Sequence, residues 1–540
     1  MIVDFFEKLL KRNKELKSNE NEIRKSRLFA HINVHEVMEK IDREKDILYL
    51  PTAFCLLLSS NIQIKESAAT SINNLVMSLP INRLMVLDAL FRDRSSLDWS
   101  YDWRTEEPTN LIAPSMSEQE VITILGLCSF HPNGYFREKA IKELEKVVSG
   151  YEIPYLLIRL NDWVGVVRDA AKAAVLERLK PSYASVIIEN LPLIYRLSKC
   201  SRDMHQELIE MTIKMLISNE ARQCLVNGLE SENSQVRTLC YEIIAKYELL
   251  ESSKYIGLLI KEPNPHTRLH ALRQVTDKIF FDDFRYFSEY LLHDKYAPIR
   301  LLAYELYDKY LPSESKSLLT NALLDKHISV RETARYLLKT KGIKDFSAFY
   351  IDALNEGFSY GAICGLGETG KEDDAAYLIN FLDLEQAKIV RIAIRALSKL
   401  AFEEFKDTFI ELLADDRMGV SKEARLALSG RISSADADKI YKLSMSNDKA
   451  HTRKNGALLL CSISKWDSIS YIIEICADKD EEISRIGKYN LDKWISKFNR
   501  SFTVPTRDQV KRIESAIKTY ENTISKSSIE WIEIALDSLK

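Results

Sequence analysis

Leu292-His293-Asp294-Lys295-Tyr296-Ala297-Pro298-Ile299-Arg300-Leu301-Leu302-Ala303 is answered 31 residues later by Leu323-Leu324-Asp325-Lys326-His327-Ile328-Ser329-Val330-Arg331-Glu332-Thr333-Ala334. Each stretch holds an acid, an arginine six places on and an alanine three beyond that. The arginine returns at Arg137, Arg168, Arg237, Arg268, Arg391, Arg453 and Arg485, with Lys422 substituting once. Neighbouring steps are 31 or 32 residues, and two wider gaps, 69 and 60, each leave room for one repeat without the arginine. Six positions upstream stand Asp162, Glu262, Glu385, Asp416 and Asn447, and Ala171, Ala271 and Ala424 follow downstream. One period shared by three residue types, between twenty and fifty residues long, marks a solenoid or similar array.

Within one period the chain reads as two amphipathic helices. Between Tyr155 and Leu179, Leu156, Leu157, Ile158 and Leu160 close an apolar helix and Asn161-Asp162 marks a turn; Val164, Val167, Ala170, Ala171, Ala174, Val175 and Leu176 then recur at helical spacing. Asp162 is expected as an N-cap acceptor, worth about 1 kcal/mol. Stacking identical units sets each arginine beside the acidic turn of a neighbour, which predicts a ladder of charge-assisted hydrogen bonds through Asp162, Arg168, Arg237, Arg268, Asp294, Arg300, Asp325, Arg331, Arg391, Arg453 and Arg485. The alanines let the second helices approach closely.

The Asp-x5-Arg-x-x-Ala pattern in paired helices resembles the HEAT-repeat family, over roughly residues 118–500. Tyr360 to Leu400, with Leu366-Gly367-Glu368-Thr369-Gly370 and Val390-Arg391, is similar to the bacterial subtype described in phycobilin lyases. The resemblance implies an all-α, HEAT-like α-solenoid: a right-handed superhelix of about eleven or twelve antiparallel helix pairs. It says little about activity, because HEAT arrays serve as scaffolds, adaptors, nucleic-acid binders and regulatory subunits alike. The expected organisation is a divergent helical module at 1–92, an aromatic and acidic loop at 93–116, the array at 117–500 and capping helices at 501–540. An irregular repeat with longer helices is expected between Lys180 and Ala221, and Tyr360 occupies an arginine slot. Ser117 and Glu120 form a capping box at the start of the array.

Composition agrees with an elongated helical protein: 46% hydrophobic, 29% charged, and few Gly and Pro for 540 residues. A formal net charge of −3 gives no general attraction to nucleic acid or to acidic membranes. Eight scattered cysteines without a C-x-x-C pair read as free thiols in a reducing compartment. With no signal-peptide pattern and no long apolar run, a soluble cytoplasmic protein is expected. Gly365-Leu366-Gly367-Glu368-Thr369-Gly370 satisfies G-x-G-x-x-G but lacks the preceding strand that phosphate binding requires, so glycine close-packing is expected there instead. His31 and His35 lack a third ligand for zinc. No metal or cofactor is expected.

Function is therefore read as a non-catalytic scaffold that binds a protein or peptide on a concave face lined by second helices. Lys139, Lys172, Glu332, Arg335, Arg395 and Arg425 are its candidates. The alternating Trp99, Tyr101 and Trp103 form the preferred interaction element, since aromatic anchors are enriched at binding hot spots; the alternative is that the rings simply pack on the first repeat. The basic residues between Lys8 and Arg27 read as a solvated helix face, with docking on an acidic partner or on phosphates as the alternative. Two alternatives stand beside this reading. A DNA-acting protein resembling the bacterial alkylpurine DNA glycosylases would use Asp162, Trp163 and Arg168, with Arg137, Lys139 and Lys172 nearby. A regulatory or lyase-like subunit would need a partner chain.

Overall fold

The computed structural model describes residues 32–93, 101–278, 281–497, 500 and 503–537, and among them every regular element is a helix. The fold class is all-α, built from successive helix pairs. The chain divides into two compact units, Met1–Phe287 and Ser288–Lys540.

In the first unit, helices Val34–Asp42, Leu50–Leu56, Ile62–Met77 and Leu84–Asp93 precede the repeats. Helix pairs Glu118–Cys128 with Gly134–Glu145, and Ile153–Arg159 with Gly165–Glu177, then follow the predicted period. The capping box of Ser117 and Glu120 is present. The segment after Lys180 is irregular, as expected, but its helices are not uniformly longer: two six-residue helices, Ala184–Glu189 and Leu191–Arg196, precede the 11-residue Gln206–Leu216. Pro181 and Pro192 explain the two short ones, because each occupies a first-turn position and so starts a new helix rather than extending the old one. Regularity resumes with Arg222–Asn227 and Ser234–Lys246, then Ser252–Leu259 and Pro265–Val275.

The second unit repeats the plan from Ala297–Tyr310 through Glu481–Lys497, closed by Arg507–Tyr520 and Lys526–Asp537. One first helix is replaced by the 3-10 turns Glu372–Tyr377 and Ile379–Phe381. The glycine motif lies on helix Tyr360–Thr369. A Cβ at Gly361 would stand 2.0 Å from the Leu324 carbonyl oxygen, and one at Gly367 2.6 Å from the Ala396 side chain. These glycines set helix contact, as expected. Ala171, Ala271, Ala303, Ala334 and Ala424 are all buried at 0–1% exposure, which is the close approach the sequence implied.

The repeated turn differs from the expected N-cap. Asp162 accepts the N–H of Val164 at 2.9 Å, and Val164, not Asp162, is the cap residue of the following helix. The same two-residue clasp recurs at Glu262 with Asn264, Asp325 with His327, Asp415 with Arg417, Asn447 with Lys449 and Asp478 with Asp480. Such side-chain turns fix the chain before the helix begins, and where Asn264 follows, that residue caps His266 and Thr267 itself. Asp415 takes the role that spacing assigned to Asp416, which is exposed and pairs with Lys449.

The repeating arginine bridges two turns. Arg237 donates Nη1 to the carbonyls of its own turn, Ser231 and Glu232, and Nε and Nη2 to both oxygens of Glu262, 25 residues on. Arg137 with Asp162 and Arg300 with Asp325 do the same at the same separation, and Arg453 reaches one oxygen of Asp478 through Nε, also 25 residues on. Departures follow the irregular repeats. Arg168 holds only the Asp162 and Trp163 carbonyls. Arg268, in a regular repeat, keeps the bond to its own turn through the Glu262 carbonyl. Arg331 reaches past the enlarged repeat to Glu368, on a helix rather than a turn. Arg391 leans on Glu423, while Arg417 joins Asp415 to the Leu384 and Glu385 carbonyls in place of the expected rung. Arg485, predicted as a rung, is exposed and meets only Glu481 of its own helix.

Candidate functional site

The aromatic loop is a plug. Tyr101 and Trp103 are buried, and the Trp103 ring packs on Phe54, His131 and Phe136 at 5.8, 4.4 and 5.0 Å between centroids. The Tyr101 hydroxyl donates to buried Glu106, whose other oxygen accepts from Asn110. Lys139 ties the plug down through the Glu106 carbonyl at 2.9 Å and Glu107 at 2.7 Å. Of the two readings of this alternation, Tyr101 and Trp103 follow the packing one: they fill a gap between helices against the first repeat rather than standing exposed. Trp99 and the basic residues 8–27 lie outside the described residues.

Most of the charged candidates are also engaged internally. Arg335 is buried against Glu368 and the Tyr350 hydroxyl. Arg395 grips both oxygens of Glu423, and Arg425 donates to Asn455. Lys172 stands 3.8 Å from Asp203. Glu332 is exposed.

One surface in the first unit remains, and it is built on a buried ion network. Asp162, fully buried, accepts from Arg137 Nε and Nη2, Arg159 Nη1, Arg92 Nη2 and the Val164 N–H. Arg159, also fully buried, reaches Asp88 with Nη2. Three guanidinium groups against two carboxylates leave the network net positive. Burial alone raises the carboxyl pKa of Asp162, but the Arg137 hydrogen bonds and the charges of Arg159 and Arg137 outweigh it and hold the group below the ordinary carboxylate range. Every Asp162 oxygen is occupied, so the aspartate is closed to any base or sugar. That removes the central residue of the glycosylase-like cluster.

Above this network stands Trp163, 69% exposed, with Arg92 5.9 Å and Arg202 5.0 Å from its ring centroid. Arg202 is anchored by the Asn161 carbonyl, and Met204 beside it is 86% exposed. Val164 and Val166 extend the apolar surface, and Tyr135, under Arg104 at 4.6 Å, borders it where Gly134 meets Val164. Two cation–π contacts hold the indole in place while most of it stays in solvent. Of the expected residues, Trp163, Lys172 and Arg168 thus fall in one neighbourhood. Arg92, Arg159, Arg202 and Met204 were missed. Arg159 carried a signal, being a lone charge inside the apolar run Leu156 to Leu160; Arg202 sat in the irregular repeat, where no period locates it.

Among the described residues no cluster of three metal-ligating side chains occurs, and no single helix is long and apolar enough to cross a membrane. No family model matches the chain, and no curated protein matches its sequence. Solved structures do align with it. A chain from a structure of Kap95p binding to RanGDP matches at 9% identity and TM-score 0.32, covering 92% of this chain and 69% of that one. A chain of the S. pombe condensin Cnd3–Cnd2 subcomplex matches at 13% identity and TM-score 0.24, covering 93% and 90%. An engineered protein matches at 13% identity and TM-score 0.17, covering 91% and 98%. At these values function rests on the chain's own residues.

Proposed function

We propose that this chain is a non-catalytic scaffold or adaptor of the cytoplasm that docks a protein or peptide partner on the Trp163 surface. The observation that supports this reading is a largely exposed indole, in contact with Arg92 and Arg202 over an ion network centred on the buried Asp162 and Arg159. Trp, Tyr and Arg dominate binding hot spots because each buries a large, rigid area at small entropic cost. Here the rigidity is supplied in advance by Asp162 and its three arginines. The chemistry selects a partner segment with an apolar side chain to cover Trp163, Val166 and Met204, and a carboxylate to meet Arg202 or Lys172.

A photo-crosslinking side chain at exposed Val166, in the full chain inside its native cells, tests this. The expected result is a discrete protein adduct that disappears in Trp163→Ala and persists in Tyr489→Ala, a control at an exposed ring of the other unit. An adduct unchanged by Trp163→Ala, or one made to nucleic acid, would overturn the proposal.

A further inference from the structure

A second surface, in the second unit, is defined by charge and rests on no part of the Trp163 reading. Helix Ala387–Leu400 contains no acid, and its four cations, Lys388, Arg391, Arg395 and Lys399, follow one another at steps of 3, 4 and 4. Residues at those steps share one face of a helix. All the residues between them are buried except Ile389, which is half-buried. The solvent face of this helix is therefore cationic over about 16 Å of its length. The helix that follows, Phe402–Glu411, has the opposite sign, with Glu403, Glu404, Asp407 and Glu411 against Lys406 alone.

The cations have little acid around them. Arg391 and Arg395 share the single carboxylate of Glu423, which is buried, while their own side chains are 44% and 49% exposed. Among the described residues Arg391 commits only Nε and Arg395 only Nε and Nη2, so each keeps guanidinium donors uncommitted. Lys388 lies over the Tyr360 ring at 5.2 Å, and among the described residues neither it nor Lys399 forms an ion pair. Helix Met418–Leu428 packs alongside through Glu423 and Gly419 and extends the patch. Its Lys422 is exposed, and its Arg425 bonds the neutral side chain of Asn455. Six cations thus stand around one buried acid, in a chain whose net charge is −3.

We infer that this face docks an acidic peptide segment of a partner protein, its carboxylates set against Lys388, Arg391, Arg395 and Lys399, with Lys422 and Arg425 at the side. A peptide helix with acids three or four residues apart repeats its charges at the intervals of the stripe, so the two match rung for rung. A nucleic-acid strand fits less well. The exposed acids Asp383 and Glu385 stand just before the first turn of the stripe, and Lys454 on the next second helix is spent on Glu482. Lys388 also occupies a face of the ring on which a base would stack.

The probe is a labelled alanine peptide with glutamate at every fourth position, and its glutamine counterpart is the uncharged control; fluorescence anisotropy follows both on the full chain. The glutamate peptide is expected to bind at low salt at least about tenfold tighter than the glutamine one, and to weaken steeply as salt is added. Lys388→Glu with Lys399→Glu, which breaks no ion pair of the fold, is expected to weaken it by at least about tenfold, and Arg395→Gln by about threefold. Lys439→Glu with Lys442→Glu makes the same charge change on helix Ser434–Ser444, where Lys439 pairs with Asp407 of the acidic helix, and is expected to leave binding within about twofold. No binding of the glutamate peptide, or binding that the two double variants reduce alike or not at all, contradicts the proposal. So does single-stranded DNA of equal charge that binds more tightly and loses its affinity in Lys388→Glu with Lys399→Glu, since the surface would then be a nucleic-acid one.

Discussion

Asp162 and Asn447 hold the same place in two repeats, and each accepts the N–H two residues on at 2.9 Å. Only the first is charged. Twenty-five residues before Asp162 stands Arg137, which grips both of its oxygens; twenty-five before Asn447 stands Lys422, exposed to solvent. His131 and Ser231 extend the comparison. Each also accepts the N–H two residues on, and the residues 25 places earlier are Glu106 and Gln206. Closing the turn requires an acceptor of any kind. A negative charge stands there where a guanidinium meets it, from the preceding repeat at Asp162, Glu262, Asp325 and Asp478 and from Arg417 of the same turn at Asp415, because a buried carboxylate without one would bear an uncompensated desolvation cost.

The largest expected effect comes from breaking the charged case. Asp162→Ala strands Arg137 and Arg159 in the interior, and urea unfolding should register a loss of about 3–5 kcal/mol. Arg300→Ala removes a rung whose acid partner retains the His327 N–H, so a loss of about 1–3 kcal/mol is expected in the same measurement.

Acid sharpens the comparison between Asp162 and its neutral counterpart His131. Burial, with the Arg137 charge beside it, pushes the His131 pKa down from 6.5 to about 3. Its folded value lies below its unfolded one, so the stability it contributes is complete above pH 6.5 and is lost as pH falls toward 3. The slope attributable to this one ring is about 1.4 kcal/mol per pH unit, and His131→Gln should remove it between pH 6 and pH 4.5 in roughly that proportion. Asp162 acts in the same direction but at lower pH: its stabilisation persists down to the ordinary carboxylate range and is lost only below it. At the small end, Arg395→Ala should cost under about 1 kcal/mol, since that side chain is 49% exposed despite its grip on Glu423.

Much of the fold was legible because a rung couples residues at fixed separation, and a fixed separation is visible in a linear chain. Arg237 with Glu262 needs no knowledge of packing beyond the repeat itself. The failures lie where geometry is not periodic. Glu368 takes two arginines because the helix before it is displaced by an enlarged repeat, which composition does not announce. Tyr101 and Trp103 could be read either way because aromatic alternation is the same whether rings face solvent or a gap between helices. Of the candidate site, Trp163 was legible as an aromatic in a turn, whereas Arg92 and Arg202 reach it from 71 residues before and 39 after, with no shared period.

A double-mutant cycle at Arg237 and Glu262, run beside one at Lys422 and Asn447, tests the 25-residue rule most directly. Arg237→Met and Glu262→Gln should show a coupling of about 1.5–3 kcal/mol, and Lys422→Met with Asn447→Ala none beyond about 0.5 kcal/mol. Additive losses at Arg237 and Glu262, or equal coupling at both places, would contradict the claim that charge in these turns is matched to an arginine, here one repeat earlier.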